Sequence, residues 1–130
     1  MLTIKIEENY KDAIDEMGVS QIPGMYVMAM RDGDLLMGIG TMRIFDSFAS
    51  IDKIVMKDEF KSFDLEFGMG KSLLNCLDLK GIRNVVSNID DERLITALRF
   101  KDAKESEIAD LVSDDWKYCL NLDGYFTSNC

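Results

Sequence analysis

Histidine is absent from this chain, proline occurs once and cysteine three times in 130 residues. Without an imidazole, Ser-His-Asp and Cys-His nucleophilic catalysis, histidine-ligated zinc and imidazole general bases are all excluded. Cys76, Cys119 and Cys130 form no C-x-x-C pair and leave an odd thiol under any pairing. Neither a disulfide framework nor a zinc ribbon is expected, no metal site is indicated, and the thiols read as reduced and cytoplasmic. Long apolar runs are missing too. A stretch such as Leu35 to Met42 is far too short to span a bilayer, and Met1 to Tyr10 carries acids where a secretory signal needs a basic region, so a soluble protein with no membrane partner is expected. Positive charge is scarce: 15 lysines and arginines face 24 carboxylates, a net charge of −9. Such a field repels phosphate backbones, and no basic run overrides it, so nucleic acid is not an expected partner. What the chain does have is apolar residues, at 47%, enough for one core in a single domain spanning residues 1–130.

Leu2, Ile4 and Ile6 alternate with polar residues, the pattern of a strand with one buried face. From Asn9 the apolar residues fall at Tyr10, Ala13, Ile14 and Met17, which predicts a helix capped by Asn9 and ended by Gly18. Met25 to Met30 and Leu35 to Phe45 read as strands joined by a tight turn centred on Asp32-Gly33, and Ser50 to Met56 as a third strand of an antiparallel meander. Lys57 to Glu66 reads as a charged and aromatic loop. Met69, Leu73, Cys76 and Leu77 then recur at helical spacing up to Gly81. Ile82 to Ser87 predicts a short strand, Asp90 to Leu98 a helix, Phe100 to Ala103 a brief strand and Tyr118 to Leu122 a last one, with Glu105 to Asp115 ambiguous. The order β-α-β-β-β-α-β-α-β-β implies an α/β (α+β) fold, a mixed and mostly antiparallel sheet flanked by helices. Nine methionines, six of them in or near the meander, are expected to fill the core, an adaptable acceptor pocket being the other use for them.

In that plan Gly68-Met69-Gly70-Lys71-Ser72 delivers the chain from a loop into a helix N-terminus, where unpaired N–H groups can hold an anion such as a diphosphate. A P-loop would need glycine at Leu65, so that motif is rejected; the glycines could also merely allow close packing. Strand, loop, G-x-G, helix, strand and helix, ending in Leu98-Arg99-Phe100, resembles the core of the GNAT family of acyl-CoA-dependent N-acyltransferases over roughly Met25 to Leu122. Gly68 and Gly70 match the small positions of that family's phosphate loop, and Leu65 stands where its Arg or Gln belongs, with Lys61 upstream as a substitute. Asn88, Leu94 and the final triplet match the second motif, while Ile95 replaces the Tyr that protonates the leaving thiolate and Arg99 replaces a glycine.

The resemblance implies acetyl-CoA as acyl donor and direct attack by a primary amine, the acceptor being a small molecule or a peptide. It implies that Val55 and Met56 present backbone groups to the pantetheine arm, that Phe67, Gly68, Met69, Gly70, Lys71 and Ser72 form the phosphate loop, and that Asn88 belongs to the cofactor site. Asp52, with Asp46 before its strand, takes the position of the carboxylate that collects the amine proton. The same departures, with one helix before Met25 where the family has two, leave a second expectation: a catalytically degenerate domain that binds CoA as a sensor or interaction module. An edge strand near the C-terminus offers a route to a homodimer.

Overall fold

A computed structural model describes residues 1–105 and 115–126. The elements are β1 (Leu2–Glu7), α1 (Lys11–Glu16), β2 (Met25–Asp32), β3 (Leu35–Ile44), β4 (Ala49–Met56), α2 (Phe63–Leu79), β5 (Asn84–Ser87), α3 (Glu92–Ala97), β6 (Lys101–Asp102) and β7 (Tyr118–Asn121). Short 3-10 turns at Asp58–Phe60 and Ala103–Glu105 punctuate them. This is the order expected from the sequence, and the ambiguous segment after Glu105 falls largely outside the described residues.

The strands form one seven-stranded sheet in the order β1-β2-β3-β4-β5-β7-β6. Every neighbouring pair is antiparallel except β4 and β5, which are parallel because α2 carries the chain back across the sheet between them. The β2–β3 turn is centred one residue later than expected. Asp32 pairs with Leu35, and Gly33 takes the first central position at φ +62°, a conformation that a side chain resists. β4 carries a bulge: Thr41 faces Lys53 and Met42 faces Ile51, leaving Asp52 as the extra residue.

Two apolar layers enclose the sheet. On one face Met69, Leu73 and Leu77 of α2 and Leu94 of α3 pack on Met30, Met42, Ile51 and Met56. On the other, Ala13 and Ile14 of α1 cover Val27, Ala29, Leu36 and Ile39. The methionines of the meander (Met25, Met28, Met30, Met37, Met42 and Met56) are all buried, which makes them core residues.

α2 begins six residues earlier than the glycine-rich turn had implied. Ser62 is its N-cap, the hydroxyl accepting a hydrogen bond from the Leu65 N–H at 3.2 Å, and Asp64 and Glu66 occupy its first turn. Gly68 and Gly70 therefore lie inside a helix of 17 residues, not at its start. α3 is capped by Asp91 and closes with the Phe100 N–H bonded to the Ile95 carbonyl. Arg99, between them, is held at φ +68°, the helix-ending position that glycine usually fills. A glycine there would be free of the strain that Arg99 retains.

Candidate donor cleft between β4 and β5

Pairing between the parallel strands lasts three residues, Ala49 with Val85, Ser50 with Val86 and Ile51 with Ser87. At the last of these a side chain takes over from the ladder. The fully buried Ser87 hydroxyl donates to the Ile51 carbonyl at 2.8 Å and accepts from the Ile89 N–H at 3.1 Å. Satisfied on both sides, it lets the chains part without leaving an orphaned polar group. β4 then runs on to Met56 with no strand among the described residues on that side, while the segment after β5 turns away to Asp91 and α3.

The gap between them is a cleft of about 250 Å³. Ile54, Val55 and Met56 form one wall, Ile89, Asp90 and Asp91 the other, and Leu94, Lys61 and Glu66 complete it. An apolar wall with an unpaired strand edge suits a narrow, uncharged, amide-bearing chain that adds itself as a strand. For an anion the cleft has the opposite character, since its lining holds, among the described residues, three carboxylates, Glu66, Asp90 and Asp91, against one lysine.

Val55 and Met56, which the resemblance assigned to a pantetheine arm, line this cleft. The phosphate-loop residues are not gathered there. Being helical, Phe67, Gly68, Met69, Gly70, Lys71 and Ser72 point around the whole circumference of α2, and their N–H groups belong to the helix ladder. Met69 and Gly70 are buried, and a Cβ on Gly70 would lie 2.7 Å from a Leu98 methyl, so Gly70 serves the close packing of α2 on α3. Phe67 stacks on Phe63. The Ser72 hydroxyl donates to the Gly68 carbonyl, one turn back, at 2.9 Å, and Ser72 lines a groove toward Ile4 and Met28. Lys71 lies over the rings of Tyr125 and Phe126, 4.4 and 5.0 Å from their centroids. Burial, and then the charge of Arg99, push its ammonium below the usual lysine range.

Asn88 also has other employment. Its amide donates to the Asp115 carbonyl and its oxygen accepts from the Lys117 N–H, both at 2.7 Å, tying the end of β5 to the approach of β7. Asp52 lies in the β4 bulge and is largely enclosed, its side chain 12% exposed. Arg43 donates to both of its oxygens, Nε to Oδ2 at 2.8 Å and Nη2 to Oδ1 at 3.0 Å, and the Ser50 hydroxyl adds a third bond at 2.9 Å. Held this way, the carboxylate ties β4 to β3 through Arg43. Arg43 in turn lies over Phe45 and Trp116. Ile95 of α3, which the resemblance set at a Tyr position, is buried in the core, and among the described cleft-lining residues none carries a hydroxyl or a thiol.

Sequence reasoning missed the Arg43–Asp52 pair, for which the only local signal was a lone arginine in an apolar strand. It missed the acidic wall as well, because the cleft joins residues that lie more than thirty positions apart. Among the described residues no cluster of carboxylate or thiol groups could hold a metal, and no helix is long and apolar enough to cross a membrane.

Neither a family model nor a curated protein matches the sequence. Solved structures do. The ribosomal-protein-S18-alanine N-acetyltransferase of Escherichia coli superposes with a TM-score of 0.69 at 13% identity, over 93% of this chain and 94% of that one. A Bacillus subtilis acetyltransferase in complex with CoA gives 0.66 at 14% identity, over 94% and 99%. A GNAT family acetyltransferase from Elizabethkingia anophelis with acetyl-CoA bound gives 0.59 at 11%, over 92% and 94%. The chain has the GNAT fold.

Proposed function

We propose that this protein is an acyl-CoA-dependent N-acyltransferase, most simply an acetyltransferase acting on a primary amine. The observation that carries the reading is the parting of β4 from β5 after Ile51 and Ser87, which leaves a strand edge and an apolar cleft at the centre of a GNAT fold. Ile54, Val55 and Met56 would hold the pantetheine arm as an added strand, with Ile89 and Leu94 excluding water from the opposite side. The thioester so held supplies an activated carbonyl and a thiolate leaving group. The chain's own contribution is position: the β4 backbone past Ile51, left without a partner on the β5 side, supplies fixed donors of the kind that stabilise charge developing on an oxygen. With Asp52 tied to Arg43 and no hydroxyl among the described cleft-lining residues, the amine's proton passes to solvent or to a cleft carboxylate, Glu66, Asp90 or Asp91. An amine of pKa about 10 then becomes a nucleophile only as pH rises, so the rate climbs toward the alkaline side.

A second reading rests on the same two absences. Asp52 neutralised by Arg43 and Ile95 in place of a phenol suit a domain that keeps the cleft to bind a ligand and no longer turns it over.

Thermal unfolding with acetyl-CoA tests both at their shared premise. At ligand a hundredfold over its dissociation constant the gain is about 2.7 kcal/mol. No shift at millimolar acetyl-CoA removes the donor from this account. A shift without acyl transfer to a panel of polyamines, aminoglycosides, amino acids and peptide N-termini selects the binding module.

A further inference from the structure

The cleft and the helix beside it disagree about what the donor brings. Coenzyme A ends in a diphosphate and a 3′-phosphate, about four negative charges at pH 7. A seat for such a group needs free N–H donors or cations at the cleft mouth. Both are scarce there. The amides from Glu66 onward are consumed within α2 and the Leu65 N–H is given to Ser62, so the open amides of the first turn are those of Phe63 and Asp64, which share that turn with the carboxylates of Asp64 and Glu66. Residues 57–66 hold two lysines and four carboxylates, and residues 90–93 three carboxylates and one arginine, so the two segments flanking the mouth sum to −4. One of those lysines, Lys57, is paired with Glu16, and Arg93 lies over the Phe63 ring at 4.0 Å, leaving Lys61 as the cation on the cleft itself. Helix dipole and acids oppose each other here, and Asp64 and Glu66 already satisfy the N-terminal end.

We propose that the cleft selects its donor by the acyl-pantetheine arm alone, the nucleotide contributing no affinity. The substrate class is then a neutral pantetheine thioester, which coenzyme A is only one way of carrying. The inference rests on the reading that the cleft takes a thioester, and it deepens that reading by moving recognition from phosphate to amide and acyl group. Held in the strand-like gap, the arm meets only Ile54 to Met56 and the Ile89 side, and the phosphates project past Glu66 and Asp90 into solvent.

The test compares S-acetyl-pantetheine with acetyl-CoA on the full chain by isothermal calorimetry, at low and high salt. Dissociation constants within about threefold of each other are expected, and acetyl-CoA binding that strengthens, or holds, between roughly 20 and 500 mM NaCl, because salt screens repulsion between like charges. Asp64→Lys, at the start of α2 and outside the cleft lining, is expected to shift the ratio about threefold or more toward acetyl-CoA. Acetyl-CoA binding at least about tenfold more tightly than S-acetyl-pantetheine, or weakening as salt rises, overturns the inference and leaves the acyltransferase reading standing. Binding of neither thioester overturns both.

Discussion

Arg43 of β3 and Asp52 of the β4 bulge are joined by two hydrogen bonds, with side chains 30% and 12% exposed. Removing either charge leaves the other poorly solvated, a larger effect than a surface ion pair provides. Asp52→Asn is expected to cost about 1–2 kcal/mol of stability, and a double-mutant cycle with Arg43→Met to return a coupling near 1 kcal/mol by urea unfolding. If the protein transfers acyl groups, the same variant slows turnover by less than about tenfold, where loss of a general base would cost about a hundredfold or more. Tyr125 offers a pH test. Its buried hydroxyl donates to the Leu98 carbonyl at 2.9 Å, and burial, partly opposed by Arg99, raises its pKa above the ordinary 10.0. The folded chain keeps a proton that the unfolded chain gives up above pH 10, so stability present at neutral pH is lost as pH rises beyond it. Tyr125→Phe should cost about 1 kcal/mol at pH 7 and flatten the alkaline fall in urea midpoint. Lys71, with its lowered pKa, contributes a slope of opposite sign in both proteins, and the comparison cancels it. An acid in a strand was visible at Asp52 from the letters alone. Its partner was not, because a bulge decides which of two neighbouring side chains meets Arg43.

At the level of elements the instructive case is α2. Glycine's low helix propensity and the G-x-G spacing made Gly68 to Gly70 look like a boundary. The true start was also written in the chain, as Ser62 followed by Asp64 and Glu66, the pattern of an N-cap and an acidic first turn. Competing signals of that kind are resolved by packing, here by Gly70 against Leu98. The two glycines therefore respond oppositely to one substitution. At Gly68 a Cβ meets nothing within 4 Å, and Gly68→Ala should stabilise by about 0.5–1 kcal/mol through helix propensity. At Gly70 the added carbon comes within 2.7 and 3.0 Å of the two Leu98 methyls, and Leu98 is itself 1% exposed with nowhere to turn. Gly70→Ala should destabilise by about 1 kcal/mol net, overpacking outweighing propensity. Destabilisation by both, in urea or thermal unfolding, would place Gly68 in a turn instead of a helix.

Across the whole molecule the order of strands and helices was legible, since hydrophobic periodicity and turn residues recur locally. The cleft was not. It exists because strands from distant parts of the sequence run together for three pairs and then separate, and no window of residues records that. Net charge is the other global property. At −9 the folded chain repels itself more than the expanded one, so the urea midpoint is expected to rise between roughly 20 and 300 mM NaCl. A midpoint that falls over that range would mean that specific ion pairs, Arg31 with Glu7 and Arg43 with Asp52 among them, outweigh the overall field.

The seam between β4 and β5 also has a place in time. The β2–β3 and β3–β4 hairpins close through short turns and can form as soon as their residues are available. The bond from Ser87 to the Ile51 carbonyl spans 36 positions, and the entire α2 crossover must be laid down before it closes. By that difference in span the meander is expected to assemble before the cleft, with α2 joining the two.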